Sequence, residues 1–404
     1  MNKEQKLSEL YQFLIAKKGI FTREILDNYP STLESYPHDW IEGLATLDEQ
    51  ALFEFDSRQN ISSSLPQEFI SWWEEIETLT TFPKVETSRP IFDDWTWHKV
   101  TEKKRHELSQ IASIIPKDKN YKFLDLCAGV GHLSRVLSGH YNFQSTVVDF
   151  DHDLLEKGKS RLQKYPLPHA PQVQFVQRDI RREGIVDLAS QSDFSLALHN
   201  CGDLSVIHLQ AIKDLENHSF LNIGCCYYKM PVEGHTNLSI KAKELNLPWT
   251  SIALYLATRA HYQKDIKDFR NKIQVKMFRY ALHLLLDELK HPIQSVGEIP
   301  VRFYWGAFSD YALLKLSEHQ IQHSWTSEEL EAFYRDQNIQ KQIKQMILAN
   351  LIRWQLGRVL ESYLILDRAL FLEDHGHACD VVALFDEQIS PRNLAIISQN
   401  VTPR

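Results

Sequence analysis

The sequence predicts an α/β fold of the Rossmann-like type, with a doubly wound and mostly parallel sheet. Five short apolar runs between residues 123 and 225 alternate with helical segments, which is the pattern of a parallel sheet covered on both faces. A long helical stretch then interrupts the alternation, and two apolar runs separated by a turn close the chain. The simplest topology adds this terminal β-hairpin to the same sheet and makes the helical stretch an insertion after strand five.

Each element has its own signal. Apolar residues at helical spacing predict helices within residues 1–80, and the two-proline stretch 81–95 reads as a connector before a helix at 99–115. The predicted strands are 123–127, 145–149, 173–176, 194–199, 220–225, 381–385 and 394–398, with helices at 131–138, 152–164 and 204–216. The predicted segments are therefore a mostly helical region at 1–95, a Rossmann-like domain at 96–235, a helical insertion at 236–375 and the hairpin at 376–404.

Composition excludes several classes of protein. Of the 404 residues, 43% are apolar, so a large core can be buried. The net charge of −8 argues against a general nucleic-acid binder but allows a local basic face. The five cysteines are odd in number and irregular in spacing, which predicts free thiols and a reducing, cytoplasmic location. No window resembles a secretory signal or a membrane span.

The turn after strand one predicts the ligand. It reads DLCAGVGHLSR over residues 125–135, where Gly129 and Gly131 allow a close backbone approach. A nicotinamide site would favour a third glycine, Gly-x-Gly-x-x-Gly, which is missing here. Asp125 stands directly before the turn and would repel a pyrophosphate, but it suits the amino group of S-adenosylmethionine.

Two further acids agree with that cofactor. Asp149 ends strand two, where a carboxylate can accept both ribose hydroxyls, and Phe150 beside it can pack on the adenine. Asp179 follows strand three and can accept the adenine amino group. A nucleotide site or a degenerate site is the alternative.

Strands four and five end in LHNCGDLS (198–205) and GCCYYKM (224–230), where the methyl group would be transferred. We take as catalytic candidates His199 and Asp203 as bases, the thiols of Cys201, Cys225 and Cys226, and Tyr227, which with Tyr228 could stack on or hydrogen-bond a flat substrate. Each also has a structural interpretation, such as a buried thiol or, for Asp203, a helix N-cap. We predict no metal, although His132, His199 and these three cysteines could converge on one.

These segments resemble the methyltransferase-like protein 25 family of class I S-adenosylmethionine-dependent methyltransferases. The resemblance rests on KKRHE (103–107), DLCAGVGHLSR, LHNCGDLS, GCCYYKM, FRYALHLLL (278–286) and LDRALFLEDHGHACDVVALFDEQISPRN (366–393). The sequence departs from the common pattern at Cys127, where many methyltransferases have glycine, and at Asn200. The predicted cofactor-binding residues are Lys104, Asp125, Cys127, Ala128, Gly129, Gly131, His132, Asp149, Phe150, Asp179, Ile180 and His199.

The sequence defines the acceptor of the methyl group less well than it defines the cofactor. A His-x-Cys-Gly segment paired with a Cys-Cys segment is similar to eukaryotic tRNA ribose 2′-O-methyltransferases of the acceptor stem, which implies RNA. RNA cytosine-5 methyltransferases offer a second analogy, because they use one cysteine after strand four and one after strand five, although their Pro-Cys and Thr-Cys contexts are absent here. Residues 259–279 carry seven Lys or Arg against two Asp and could contact RNA phosphates. Protein or small-molecule acceptors and a non-catalytic binding role stay open, as does the oligomeric state.

Overall fold

The computed structural model describes residues 2–86, 88, 90–117, 120–165, 167–169, 172–259, 265–291 and 296–399. The chain forms two compact units. The first contains residues 1–16, 78–260 and 357–404, and the second contains residues 17–77 and 261–356.

The first unit contains a seven-stranded sheet in the order β3-β2-β1-β4-β5-β7-β6. Its strands are β1 Lys122–Leu126, β2 Gln144–Asp149, β3 Gln172–Gln177, β4 Phe194–Cys201, β5 Ser219–Cys225, β6 Cys379–Ala383 and β7 Leu394–Ser398. Strands β1 to β5 are parallel, whereas β7 runs antiparallel to both β5 and β6. The predicted doubly wound sheet with a terminal hairpin is confirmed.

The helices follow the predicted pattern in chain order. They are α1 Lys3–Ala16, α2 Lys18–Phe21, α3 His38–Ala45, α4 Glu49–Asp56, α5 Gln67–Thr80, α6 Glu102–Ile114, α7 His132–Tyr141, α8 His152–Lys164, α9 Ile180–Glu183, α10 Val186–Ser190, α11 Leu204–Ile212, α12 Ile240–Leu245, α13 Ser251–Ala257, α14 Ile266–Glu288, α15 Phe308–Glu318, α16 Ser327–Arg335 and α17 Gln337–Glu373. Short 3₁₀ helices cover Ser31–Ser35, Tyr227–Lys229 and Val301–Trp305. No helix in the described ranges combines the length and the apolarity that a membrane crossing requires.

Buried apolar side chains of the central strands and of α6 form the core beneath the sheet. The rings of Phe123 in β1 and Phe194 in β4 stack 5.3 Å apart, and both are buried in the cluster that contains Leu108 and Ile111 of α6. Because β1 to β5 are parallel, their carboxyl ends meet at one edge, where ligands bind in folds of this type.

Some observed element boundaries differ from the predicted ones, including one at a helix cap and one at a strand irregularity. Helix α6 begins at Glu102 rather than at residue 99, because the Thr101 hydroxyl accepts the Lys104 N–H and caps it. Strand β4 runs two residues longer than predicted, with an irregularity between Leu198 and Asn200. In the second unit Trp72 is buried and packs against the rings of Trp40 and Phe69.

Candidate active site

The two glycines of the first turn have different roles. A Cβ on Gly131 would lie 2.9 Å from Cγ2 of Val147, so this residue is glycine because α7 packs closely on β2. A Cβ on Gly129 would meet only Leu154, at 3.6 Å, and the φ of Gly129 is +57°. The backbone at Gly129 therefore lies open to a ligand. Cys127, at φ +52°, also adopts the left-handed conformation, which glycine takes most readily.

Asp149 joins this turn to the end of β2. Its carboxylate accepts the Gly129 N–H at 2.8 Å and the Asp151 N–H at 3.0 Å. Each oxygen accepts one of these hydrogen bonds and can accept a second, so lone pairs remain for ribose hydroxyls. The donor set fits the predicted cofactor.

Asp125 is buried at the end of β1 and accepts a hydrogen bond from Ser134 Oγ at 2.8 Å. Burial raises the pKa of this carboxyl group to about 6. A cationic amino group nearby would favour the ionised form. The carboxyl group is thus suited to a positively charged ligand and poorly suited to an anionic one.

The predicted adenine-side residues lie at the ends of β2 and β3. Phe150 is 72% exposed, which is unusual for a phenylalanine and leaves its ring free to stack. Asp179 caps α9 by accepting the Arg181 N–H and lies 3.4 Å from the Arg182 guanidinium, and Ile180 is buried. One oxygen of Asp179 is therefore already used as a helix cap.

His132 and Lys104 complete the predicted cofactor set. The His132 ring lies 3.0 Å from the Arg161 guanidinium, and burial together with Arg161 lowers the pKa of His132 to about 4. The Lys104 ammonium lies 3.6 Å from Glu107. Ala128 N–H donates to the Val148 carbonyl, which fixes the start of the turn.

A pair that the sequence analysis missed lies at the end of β4. His199 has a φ of +58° at the strand irregularity, and its Nε2 lies 2.7 Å from Oε1 of Glu107 in α6. The same oxygen accepts the Ser390 hydroxyl at 2.8 Å. Glu107 is 1% exposed. Its hydrogen bonds fix the orientation of the imidazole ring.

The charge state of Glu107 follows from these contacts. Burial alone would raise its pKa, but the hydrogen bond and charge of His199, helped by Lys104, hold the pKa at about 2. A carboxylate on the buried face of α6, directly before Leu108, was the available signal in the sequence. The partners of Glu107 could not be identified from the sequence, because His199 lies 92 residues and Ser390 lies 283 residues further along the chain.

The three predicted thiols converge. Cys201 ends β4 and Cys225 ends β5, and their sulfur atoms are 3.5 Å apart. Cys226 joins them, so that all three sulfurs lie within 4.8 Å of one another. The hydrogen bond from Cys225 lowers the pKa of Cys201 to about 5, and the same contact raises the pKa of Cys225. His132 and His199 are outside this group.

Two catalytic predictions need correction. Asp203 precedes α11 but its side chain caps nothing, because both of its oxygens accept hydrogen bonds from Arg181, at 2.7 and 2.8 Å. Burial opposes ionisation, but Arg181 outweighs it and keeps the pKa of Asp203 below its usual value. Asp203 is therefore an ion-pair partner and a weak base.

Tyr227 is fully buried, and its hydroxyl lies 3.3 Å from both the Gly224 carbonyl oxygen and Oε1 of Glu361, either of which can accept its proton. It cannot stack on an acceptor. The neighbouring Tyr228 is 46% exposed and packs edge-on against Tyr255, 5.8 Å away. Of these two tyrosines, only Tyr228 has an exposed ring that could stack on a substrate.

The connection between β6 and β7 holds this edge in place. Beside Ser390, Arg392 pairs with the buried Glu361 at 3.0 Å, and Asn393 accepts a hydrogen bond from Arg358 at 2.7 Å. Glu361 also pairs with Arg358 at 2.8 Å. The Ser-Pro-Arg-Asn segment thus connects the terminal hairpin to both Glu107 and the Tyr227 environment.

A cleft of about 740 Å³ opens beside the cofactor turn in the same unit. It is lined by Lys99, Val130, His132, Asp153, Glu156, Lys157, Ser160, Arg161, Lys164 and Tyr165. Within the described part of the chain, none of its four Lys or Arg side chains pairs with a carboxylate. The cleft is a local basic surface on an acidic protein.

The basic stretch at residues 259–279, which the sequence suggested as an RNA contact, differs from the cleft because some of its cations are paired with acids. Residues 260–264 lie outside the described residues. In the described part of this stretch, Arg270 forms a bidentate ion pair with Glu49. Lys272 pairs with Asp56, and its ammonium group lies 3.8 Å from the centre of the Trp354 ring. These two cations are therefore already neutralised within the second unit.

Comparison with known proteins finds a matching protein family over the part of the chain that contains the cofactor turn. Residues 103–233 match a family described as "Methyltransferase domain". The PH0226 protein from Pyrococcus horikoshii OT3 is 18% identical over 33% of this chain and 67% of its own, with a TM-score of 0.25. The plantazolicin methyltransferase BpumL in complex with SAH is 12% identical over 70% of this chain and 93% of its own, with a TM-score of 0.24.

Coclaurine N-methyltransferase bound to N-methylheliamine and SAH is 12% identical over 89% of this chain and 95% of its own, with a TM-score of 0.26. These TM-scores are low. The fold assignment therefore rests on the strand order and on the matched family.

Proposed function

We propose that this S-adenosylmethionine-dependent methyltransferase, which matches the methyltransferase-domain family over residues 103–233, transfers its methyl group to RNA. The observation that carries the proposal is the basic cleft lined by Lys99, Lys157, Arg161 and Lys164. We infer that RNA phosphates bind there. The same cleft includes His132, the first residue after the cofactor turn, so a chain bound in it would lie beside that turn.

The charge pattern supports a polyanion. The whole chain carries −8, yet the cleft presents four cations against Asp153 and Glu156, and Glu156 is itself paired with Lys159 outside the cleft lining. Unpaired Lys and Arg side chains bind phosphate with little loss of internal ion pairs. In this proposal RNA phosphates therefore bind in the cleft, and not at residues 259–279 as the sequence suggested.

The narrower hypotheses are a tRNA or rRNA substrate and membership of the methyltransferase-like protein 25 family. They are supported by the LHNCGDLS and GCCYYKM segments, which meet at the carboxyl ends of β4 and β5. S-adenosylmethionine supplies an electrophilic methyl group for in-line displacement. In this proposal Asp149 accepts the ribose hydroxyls, Asp125 faces the amino group, and His199, oriented by Glu107, contacts the acceptor.

The test is transfer of tritium from labelled S-adenosylmethionine into total RNA and, separately, into total protein. We expect label in one RNA size class and none after Asp149→Ala. Label in protein or in a small molecule alone would overturn the RNA acceptor. Cofactor binding without any transfer would favour the non-catalytic role.

A binding measurement tests the cleft itself. If four cations contact phosphates of single-stranded RNA, the logarithm of affinity should fall with the logarithm of salt concentration with a slope of roughly −3. The double variant Lys157→Glu/Lys164→Glu should weaken binding and flatten that slope. Lys213→Glu/Lys243→Glu, an equal double charge reversal outside the cleft lining, is the matched control. Equal losses in both variants would refute the cleft as the RNA site.

A further inference from the structure

The three thiols at the ends of β4 and β5 form a cluster that the proposed methyl transfer does not require. Cys201 and Cys225 are directly paired across the two strands, and their sulfurs are 3.5 Å apart. The Cys226 sulfur lies within 4.8 Å of both. All three are free thiols.

These distances match a metal site better than a disulfide. In a disulfide the sulfurs are about 2.05 Å apart. Three thiolates on a tetrahedral zinc ion, each with a Zn–S bond of about 2.3 Å, have sulfurs about 3.8 Å from one another. The observed separations, from 3.5 Å to at most 4.8 Å, bracket that value.

The backbone positions these three side chains through unusual conformations. The irregularity in β4 between Leu198 and Asn200 brings Cys201 into register with Cys225. Cys226 adopts a φ of +49°, which is uncommon for a residue other than glycine. A Cβ on Gly202 would lie 3.0 Å from the Lys229 backbone, so the absence of a side chain lets the two loops approach.

We propose that Cys201, Cys225 and Cys226 bind a zinc ion at the methyl-transfer edge. Zinc replaces the three thiol protons, and thiolate is a preferred zinc ligand. Within the described residues no His, Asp or Glu joins the group. The fourth coordination position is then left for water or an acceptor atom, as in catalytic rather than structural zinc sites. The inference holds whichever acceptor receives the methyl group.

Three other side chains that could bind a metal are already hydrogen-bonded to other groups. Nε2 of His199 is bound to Glu107, and both oxygens of Asp203 are bound to Arg181. His132, which the sequence left open as a ligand, contacts Arg161. The site is therefore a three-sulfur site.

The first experiment measures metal directly. The full chain, purified anaerobically without chelator from cells grown with zinc, should contain about one zinc per chain by elemental analysis. After removal of zinc, added Co²⁺ should produce the near-ultraviolet absorption of cobalt–thiolate bonds, and zinc should abolish it. A folded chain that contains no zinc and shows no cobalt–thiolate absorption would overturn the proposal.

Variants assign the ligands. Cys201→Ser, Cys225→Ser and Cys226→Ser should each weaken Co²⁺ binding at least tenfold and reduce the thiolate absorption. Cys379→Ser is the matched control, because its thiol is buried in β6 and bonded to the Ala369 carbonyl. Circular dichroism of each variant separates loss of metal from loss of fold. Unchanged absorption in all three ligand variants would refute this site as the source of the signal.

Discussion

Replacing Glu107 by glutamine should remove a pH-dependent stabilisation of the first unit. The pKa of Glu107 is about 2, against an ordinary value of 4.5. The difference of about 2.5 corresponds to about 3 kcal/mol. Because the folded pKa is depressed, the stabilisation is present above pH 4.5 and is lost as the pH falls toward 2. Glutamine keeps the shape of the side chain but cannot ionise.

The assay is urea unfolding of the wild type and of Glu107→Gln between pH 7 and pH 3, with hydrogen exchange of α6 as a local readout. The difference in unfolding free energy should be about 3 kcal/mol at pH 7 and should shrink steadily below pH 4.5. Ser390→Ala, which removes one hydrogen bond to Glu107 but no charge, is the control and should cost about 1 kcal/mol. Parallel curves for wild type and Glu107→Gln over this pH range would refute the depressed pKa assigned to Glu107.

Other changes test neighbouring parts of the site. The pKa of Asp125 is about 6, and its ionised form would pair with a cationic amino group, so cofactor affinity measured by calorimetry should be roughly tenfold lower at pH 5 than at pH 7. Asp125→Asn should abolish that difference. If the variant kept the pH dependence of the wild type, this role of Asp125 would be refuted. Gly202→Ala should destabilise the chain by about 2 kcal/mol more than Gly234→Ala. Both glycines have a positive φ, but of the two only Gly202 faces nearby backbone atoms. Equal decreases in melting temperature for the two variants would count against the close contact at Gly202. Tyr228→Ala should raise KM for the acceptor at unchanged melting temperature, and an unaltered KM would remove its stacking role.

The sequence by itself determined the order of elements and the cofactor turn. Strand–helix alternation specified five parallel strands, because each strand buried on both faces reads as an apolar run. The acid before the glycine-containing turn indicated a cationic ligand without any tertiary information. Asp149 and Phe150 followed from the rule that strand ends meet at one edge. These are local signals, and each is contained within about ten residues.

The sequence could not show which side chains would meet across long distances in the chain. Glu107 lies 92 residues before His199, and no periodicity reports such a pair. Tyr227 and Tyr228 are adjacent, yet one is buried and the other exposed, because the 3₁₀ turn after β5 directs them differently. Asp203 reads as an N-cap until Arg181 is placed beside it.

Only the tertiary structure decided the charges and the thiols. Residues 259–279 are basic in sequence, but Arg270 and Lys272 are neutralised by acids more than two hundred residues earlier. Three of the four cations in the cleft, Lys157, Arg161 and Lys164, lie close together in α8, but only the fold places Lys99 and His132 beside them. The three thiols converge because strand pairing and one irregularity in β4 set their register. Local sequence specifies backbone conformation, whereas packing alone specifies which charges and which sulfur atoms become neighbours.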